Sequence, residues 1–263
     1  MINPLEKQLN QKLSQGKKIF CAFFTLGYHS MKQTEELIVS CDKLGVDVVE
    51  LGIPFSDPLA DGPVIQASSE YVLNKGVRIK QAFDLVRRLR KRGVKVPIIF
   101  FSYFNIIYRM GVKKFVQEIK QAGFEGVLCP DLPPEENNVM EQELKRKGLA
   151  QIYLIAPTTN KNRLKQILKK SSGFVYYVSR TGVTGKKTEM SQSIGKKVKE
   201  IKAYTKLPVL VGFGVSKPEQ IKKLIQSSDG VIVGSSLISA VKNSGQKNGS
   251  VKKYLKQLVN VCH

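Results

Sequence analysis

The chain has 263 residues, 42% of them hydrophobic, which suits one large domain with a sizeable core. Its net charge of +22 is spread over helical patterns from end to end, with no tail, zinc finger or RNP-like motif, so a Lys-rich solvated surface is favoured over a nucleic-acid interface. Four dispersed cysteines (Cys21, Cys41, Cys129, Cys262) and two histidines (His29, His263) show no metal-ligand spacing, which argues against a zinc site and for buried thiols in a reducing compartment.

The N-terminal stretch "MINPLEKQLNQKLSQGKK" lacks the apolar core of a secretory signal. Leu5, Leu9 and Leu13 stand at helical spacing and predict an amphipathic first helix. Eight short apolar runs follow: 19–26, 46–53, 96–103, 126–132, 150–157, 173–180, 208–215 and 230–237. They are near-continuously hydrophobic, as strands buried on both faces are, and none approaches the length of a membrane span. Between them lie helical patterns, among them 32–45, 79–93, 112–123 and 217–228, several closing on Gly45, Gly93, Gly123 and Gly148. Eight strand–helix units predict an α/β fold, a single (β/α)8 TIM barrel over residues 1–263 with an extra N-terminal helix; an open doubly wound sheet is the alternative.

Barrels of this kind place their sites at the C-terminal strand ends. There, "VVELGIPFSDPLADGP" (48–63) sets Glu50 inside an apolar strand and Asp57 and Asp61 in a proline-stiffened loop. Alternation can turn Glu50 inward, where partial burial raises its pKa toward that of a general acid or base; an ion pair with a neighbouring cation is the plainer reading. Asp61 suits a side chain held over the mouth, although Asp is common in turns, and Asp57 is the weaker candidate. After the seventh and eighth runs, "GFGVSKPEQ" (212–220) and "VGSSL" (233–237) combine glycines with a serine-led helix start at Ser235 and Ser236, a pattern suited to phosphate. The stretch 179–197, with Gly182, Gly185 and Gly195, reads as a mobile lid with hinge glycines. Tyr176 points its hydroxyl into the mouth or packs as a core tyrosine.

Taken together, "ELGIPFSDPLADGPVIQ", "FFSYFN", "CPDLPPEE", "LIAPTT", "YVSRTGVTG", "VGFGVSKPEQ" and "DGVIVGSSL" resemble the tryptophan synthase alpha subunit family, in its order and over essentially the whole chain. The resemblance implies a lyase that cleaves indole-3-glycerol phosphate to indole and glyceraldehyde 3-phosphate. It implies Glu50 as principal acid/base, Asp61 as its ionised partner at the indole nitrogen, and Tyr176 as an active-site tyrosine. Phe23, Tyr103 and Phe213 then line the substrate pocket, and Gly185, Phe213, Gly214, Gly234 and Ser235 bind phosphate. Thr184 closes the sixth loop near Asp61, and Pro54 and Asp57 meet a beta subunit.

That partner carries pyridoxal phosphate in an alpha2beta2 assembly, so this chain itself needs no cofactor or metal, and neither a membrane nor a nucleic acid is implied. The compartment implied is the cytoplasm of a bacterium or a plastid stroma. One departure is visible: Gly27-Tyr28-His29 stands where the family usually has Gly-Asp-Pro, with loop rigidity or the barrel rim at stake. A non-catalytic subunit that only activates the beta chain, or a different phosphate-binding barrel enzyme such as an isomerase, are the competing readings.

Overall fold

The computed structural model describes residues 3–179, 187–212, 214–245 and 247–263. Among the described residues, nine strands form one all-parallel sheet: β1 (Ile19–Thr25), β2 (Val48–Gly52), β3 (Ile98–Phe101), β4 (Gly126–Leu128), β5 (Ala150–Ile152), β6 (Leu154–Ile155), β7 (Val175–Val178), β8 (Val209–Gly212) and β9 (Gly230–Val233). Their order is β5-β4-β3-β2-β1-β9-β8-β7-β6. The two ends of that order, β5 and β6, are separated only by Tyr153, so the chain itself closes the ring and the predicted barrel is correct.

The run 150–157 therefore differs from the single strand expected. Its first half pairs with β4 and its second half with β7. A barrel's strands are staggered, and this short strand changes neighbour partway along its length.

Alternation turns successive strand side chains into the barrel or out toward the helices. Cys21, Phe23, Val48, Ile99, Phe101, Leu128, Ile152, Phe174, Leu210 and Ile232 pack inside the barrel. Phe20, Ala22, Phe24, Val49, Leu51, Ile98 and Phe100 face outward to the helices. The predicted first helix, Pro4–Ser14, sends Leu5 and Leu9 into the inner cluster, where full burial of each contributes about 1.5–3 kcal/mol. Asn3 caps that helix by accepting the Leu5 N–H, and Pro4 begins it where no amide donor is needed.

The helix stops follow the sequence. Helices Met31–Leu44 and Val112–Ala122 end at Gly45 (φ 81°) and Gly123 (φ 95°), left-handed positions that a side chain would strain. The lid reading of 179–197 is corrected in part, because Lys187–Lys202 is a helix containing Gly195. Ile194, Val198 and Ile201 lie on one face and are buried, and that packing outweighs the roughly 1 kcal/mol cost of a helical glycine. Gly195 is thus not a hinge, while Gly182, Thr184 and Gly185 fall outside the described residues. A further helix, Ser235–Ser244, sits between β9 and the closing helix Asn248–Val259.

Candidate active site

β2 brings Glu50 into the barrel. Its neighbours in register are Phe23 on β1 and Ile99 on β3, both inward-facing, so Val48, Glu50 and Gly52 share the interior side. Glu50 is 1% exposed, and its Oε1 has no hydrogen-bond partner among the described residues. Burial, and next the charge of Asp61, push its carboxyl up to about 8. The ion-pair reading is therefore not what the strand builds. Glu50 is mostly protonated at pH 7 and able to give up a proton to whatever enters above it.

Asp61 hangs over the same space. Its loop begins where β2 ends and is stopped by Pro63, the first residue of helix Pro63–Leu73. The Tyr103 hydroxyl accepts the Ala60 N–H at 2.9 Å and donates to Asp61 Oδ2 at 3.2 Å, and Phe55 stacks on the Tyr103 ring at 5.1 Å. Burial raises the Asp61 carboxyl to about 6, against the lowering effect of the Tyr103 hydrogen bond. Its surroundings are thus dry for a loop carboxyl, yet it remains largely ionised at neutral pH. The two carboxyls are consequently held in different protonation states by their environments.

A cavity of about 70 Å³ lies between them, walled by Phe23, Glu50, Asp61, Phe101, Tyr176 and Gly234. Tyr176 therefore faces the mouth, and its phenol is raised well above its ordinary value by burial and then by Glu50. Two glycines make this wall possible. A Cβ on Gly52 would collide with the Phe23 ring, and one on Gly212 with the Tyr176 ring. Sequence reasoning noticed these glycines only as parts of motifs; their steric role depends on which neighbouring strand carries an aromatic. Larger hollows of about 260 and 380 Å³ lie against outer helices and beside the N-terminal helix. Neither contains a pair of carboxyls like Glu50 and Asp61.

The glycine loops come together at one rim. Gly234 precedes helix Ser235–Ser244, whose first N–H groups lack intrahelical partners. Ser236 Oγ donates to the Val215 carbonyl at 2.8 Å, tying the loop after β8 to this helix start, and Gly214 beside it is left-handed (φ 73°) and exposed. Phe213, like Thr184 and Gly185, lies outside the described residues. Of the two loop positions assigned to a partner, Asp57 is exposed and Pro54 is buried at the base of the loop. Leu59, which sequence reasoning passed over, is 92% exposed at the tip.

The unusual Gly27-Tyr28-His29 segment builds a rim contact. His29 is left-handed (φ 62°), and its ring lies 4.7 Å from Tyr28 and 5.7 Å from Tyr71, with Lys75 4.3 Å above the Tyr71 ring. Tyr71 belongs to helix Pro63–Leu73, so this segment braces the helix that follows the Asp61 loop. Sequence reasoning also overlooked Ser102 and Asp131, although both stand within the motifs "FFSYFN" and "CPDLPPEE". Ser102 Oγ donates to the Ile53 carbonyl at 3.1 Å, and Asp131 accepts the Phe104 N–H.

Comparison with known proteins agrees with this fold. The family model described as "Tryptophan synthase alpha chain" matches residues 9–262. The tryptophan synthase alpha chain of Methanocaldococcus jannaschii is 40% identical over 253 residues, covering 96% of this chain and 89% of that protein. That of Thermoanaerobacter sp. (strain X514) is 39% identical over 263 residues, covering 99% and 100%. The crystal structure of tryptophan synthase subunit alpha from Legionella pneumophila superimposes with a TM-score of 0.91 at 32% identity, covering 100% of this chain and 99% of that one. A tryptophan synthase structure from M. tuberculosis gives 0.90 at 28% identity, again covering 100% and 99%. With a family match over nearly its whole length and two carboxyls poised over a barrel mouth, the chain belongs to the tryptophan synthase alpha chain family, lyases that cleave indole-3-glycerol phosphate to indole and glyceraldehyde 3-phosphate.

Proposed function

We propose that Glu50 is the acid/base of this cleavage and Asp61 its electrostatic partner. The observation that carries the reading is the buried Glu50 carboxyl, unpartnered at Oε1 and facing the cavity opposite Asp61. Neutral Glu50 gives its proton to the indole ring carbon that bears the glycerol chain, forming an indolenine cation. Asp61 accepts the ring N–H and stabilises the positive charge there. The carboxylate left on Glu50 then takes the proton of the hydroxyl on the attached chain carbon. As that carbonyl forms, the carbon–carbon bond breaks and its electron pair returns to the ring, releasing indole and aldehyde. Glu50 has lost one proton and regained another, so it finishes ready for the next turnover.

Phe23, Tyr103 and Tyr176 enclose the indole in this reading, and the family resemblance adds Phe213 to the substrate-binding set. The phosphate sits at the start of helix Ser235–Ser244, against Gly214, Gly234 and Ser235; the family resemblance adds Gly185 and Phe213 to the phosphate-binding set and Thr184 to the substrate-binding set. The family forms complexes with a beta subunit, and we assign Pro54 and Asp57 to that contact; the indole would pass to pyridoxal phosphate held by the partner. Residues 1–263 act as one domain, in the cytoplasm or a plastid stroma. The test is indole release by Glu50→Gln. The variant is expected to lose at least about a hundredfold in kcat, the usual scale for a general acid–base group. Near-normal turnover would rule out the assignment.

A further inference from the structure

Asp131 lies in the loop after β4, and both of its oxygens accept the Phe104 N–H, at 2.9 and 3.1 Å. Cys129 Sγ donates to the same carboxylate at 3.2 Å. Phe104 opens helix Phe104–Met110, so its N–H has no partner within that helix. The two residues before it grip the Asp61 loop at both ends. Ser102 Oγ holds the Ile53 carbonyl where the loop begins, and the Tyr103 hydroxyl holds Ala60 and Asp61 where it finishes.

We propose that Asp131 is a positioning residue for the cleavage reaction: by fixing the Phe104 N–H it sets the Tyr103 hydroxyl against Asp61, and so fixes the carboxylate over the cavity. This rests on the catalytic reading of Asp61 given above. Asp131 itself is exposed and does not line the cavity, so it acts only through Tyr103. Losing its grip releases the chain at Phe104, and a small displacement of a reacting group costs catalysis steeply, up to about a hundredfold for roughly 1 Å.

The test compares Asp131→Ala, Asp131→Asn, Tyr103→Phe and the Asp131→Ala/Tyr103→Phe pair. Two readouts are taken: kcat/KM for indole release, and the titration of the Asp61 carboxyl by side-chain carbon NMR. Among the described residues, the titratable groups facing Asp61 are Glu50 from β2, Tyr103 from the segment after β3 and Tyr176 from β7, with Asp131 behind Tyr103. Loss of a nearby like charge moves a carboxyl's titration downward, if it moves it at all. Losing the Tyr103 hydrogen bond moves it upward, because that bond favours the carboxylate.

We expect Asp131→Ala to lower kcat/KM roughly tenfold and to move the Asp61 titration upward, as Tyr103→Phe does. The double variant should add little to either single change. Asp131→Asn keeps an acceptor oxygen for Phe104 and should recover most of the loss. A downward or unmoved titration in Asp131→Ala, or fully additive losses in the pair, overturns the positioning role. Asp61→Asn serves as the control for the underlying reading: unchanged turnover there overturns the catalytic assignment itself, and with it this proposal, whatever the titration shows.

Discussion

Burying Glu50 has a consequence for stability that can be measured without substrate. The carboxyl titrates at an ordinary 4.5 when unfolded and at about 8 in the folded barrel, chiefly through desolvation. Between those values the folded state binds more protons than the unfolded state, so stability falls as pH rises. The contribution is fully present below 4.5 and is lost progressively up to about 8. At about 1.4 kcal/mol per pH unit, the span sets a ceiling of about 5 kcal/mol on the cost of keeping this acid in the site. Glu50→Gln removes the titration and keeps the shape. Its advantage over the wild type should therefore be small at pH 5 and grow to about 2–5 kcal/mol at pH 8, while activity is lost. Urea unfolding of both proteins at pH 5, 6, 7 and 8 gives the difference directly, and Asp61 and Glu125, also raised, should contribute similarly to both curves. Parallel stability curves would refute the reasoning, because they would mean that Glu50 is not desolvated in the folded state.

Two further perturbations probe the walls of the cavity. Gly212→Ala drives a Cβ into the Tyr176 ring and should destabilise the barrel by about 1–3 kcal/mol while lowering kcat/KM; thermal unfolding and indole release check both, and an unaffected enzyme would mean that the ring has room to move. Gly234→Asp places a carboxylate at the start of helix Ser235–Ser244, where the space is ordinary, so the fold should survive while a phosphate-bearing analogue loses binding and plain indole retains it; calorimetric titration of both ligands separates the two, and equal binding would move the phosphate site elsewhere.

The barrel, and the carboxyls and glycines of its candidate site, were legible in the chain because they depend on local order. Runs buried on both faces are apolar throughout, so each strand was visible, and left-handed helix ends mark themselves with glycines such as Gly45 and Gly123. Glu50 stood out because a carboxyl in the middle of such a run conflicts with its surroundings, the pattern that marks a candidate functional group. The resemblance then named its chemistry. Where local pattern and packing disagreed, packing decided: Gly195 and its polar neighbours suggested a hinged loop, yet Ile194, Val198 and Ile201 bury one face of a helix there.

What only the tertiary structure decided is which side chains meet across strands. Phe23 lies over Gly52, Tyr176 over Gly212, and Tyr103 reaches from the end of β3 to Asp61. Asp131 reaches the Phe104 N–H from the loop after β4. None of these contacts has a period or a local signal, because the partners are brought together by barrel closure and strand stagger rather than by their spacing along the chain. The elevation of Glu50 to about 8 belongs to the same class: sequence supplies the carboxyl, but only the surrounding walls exclude the water that would otherwise hold it near its ordinary value.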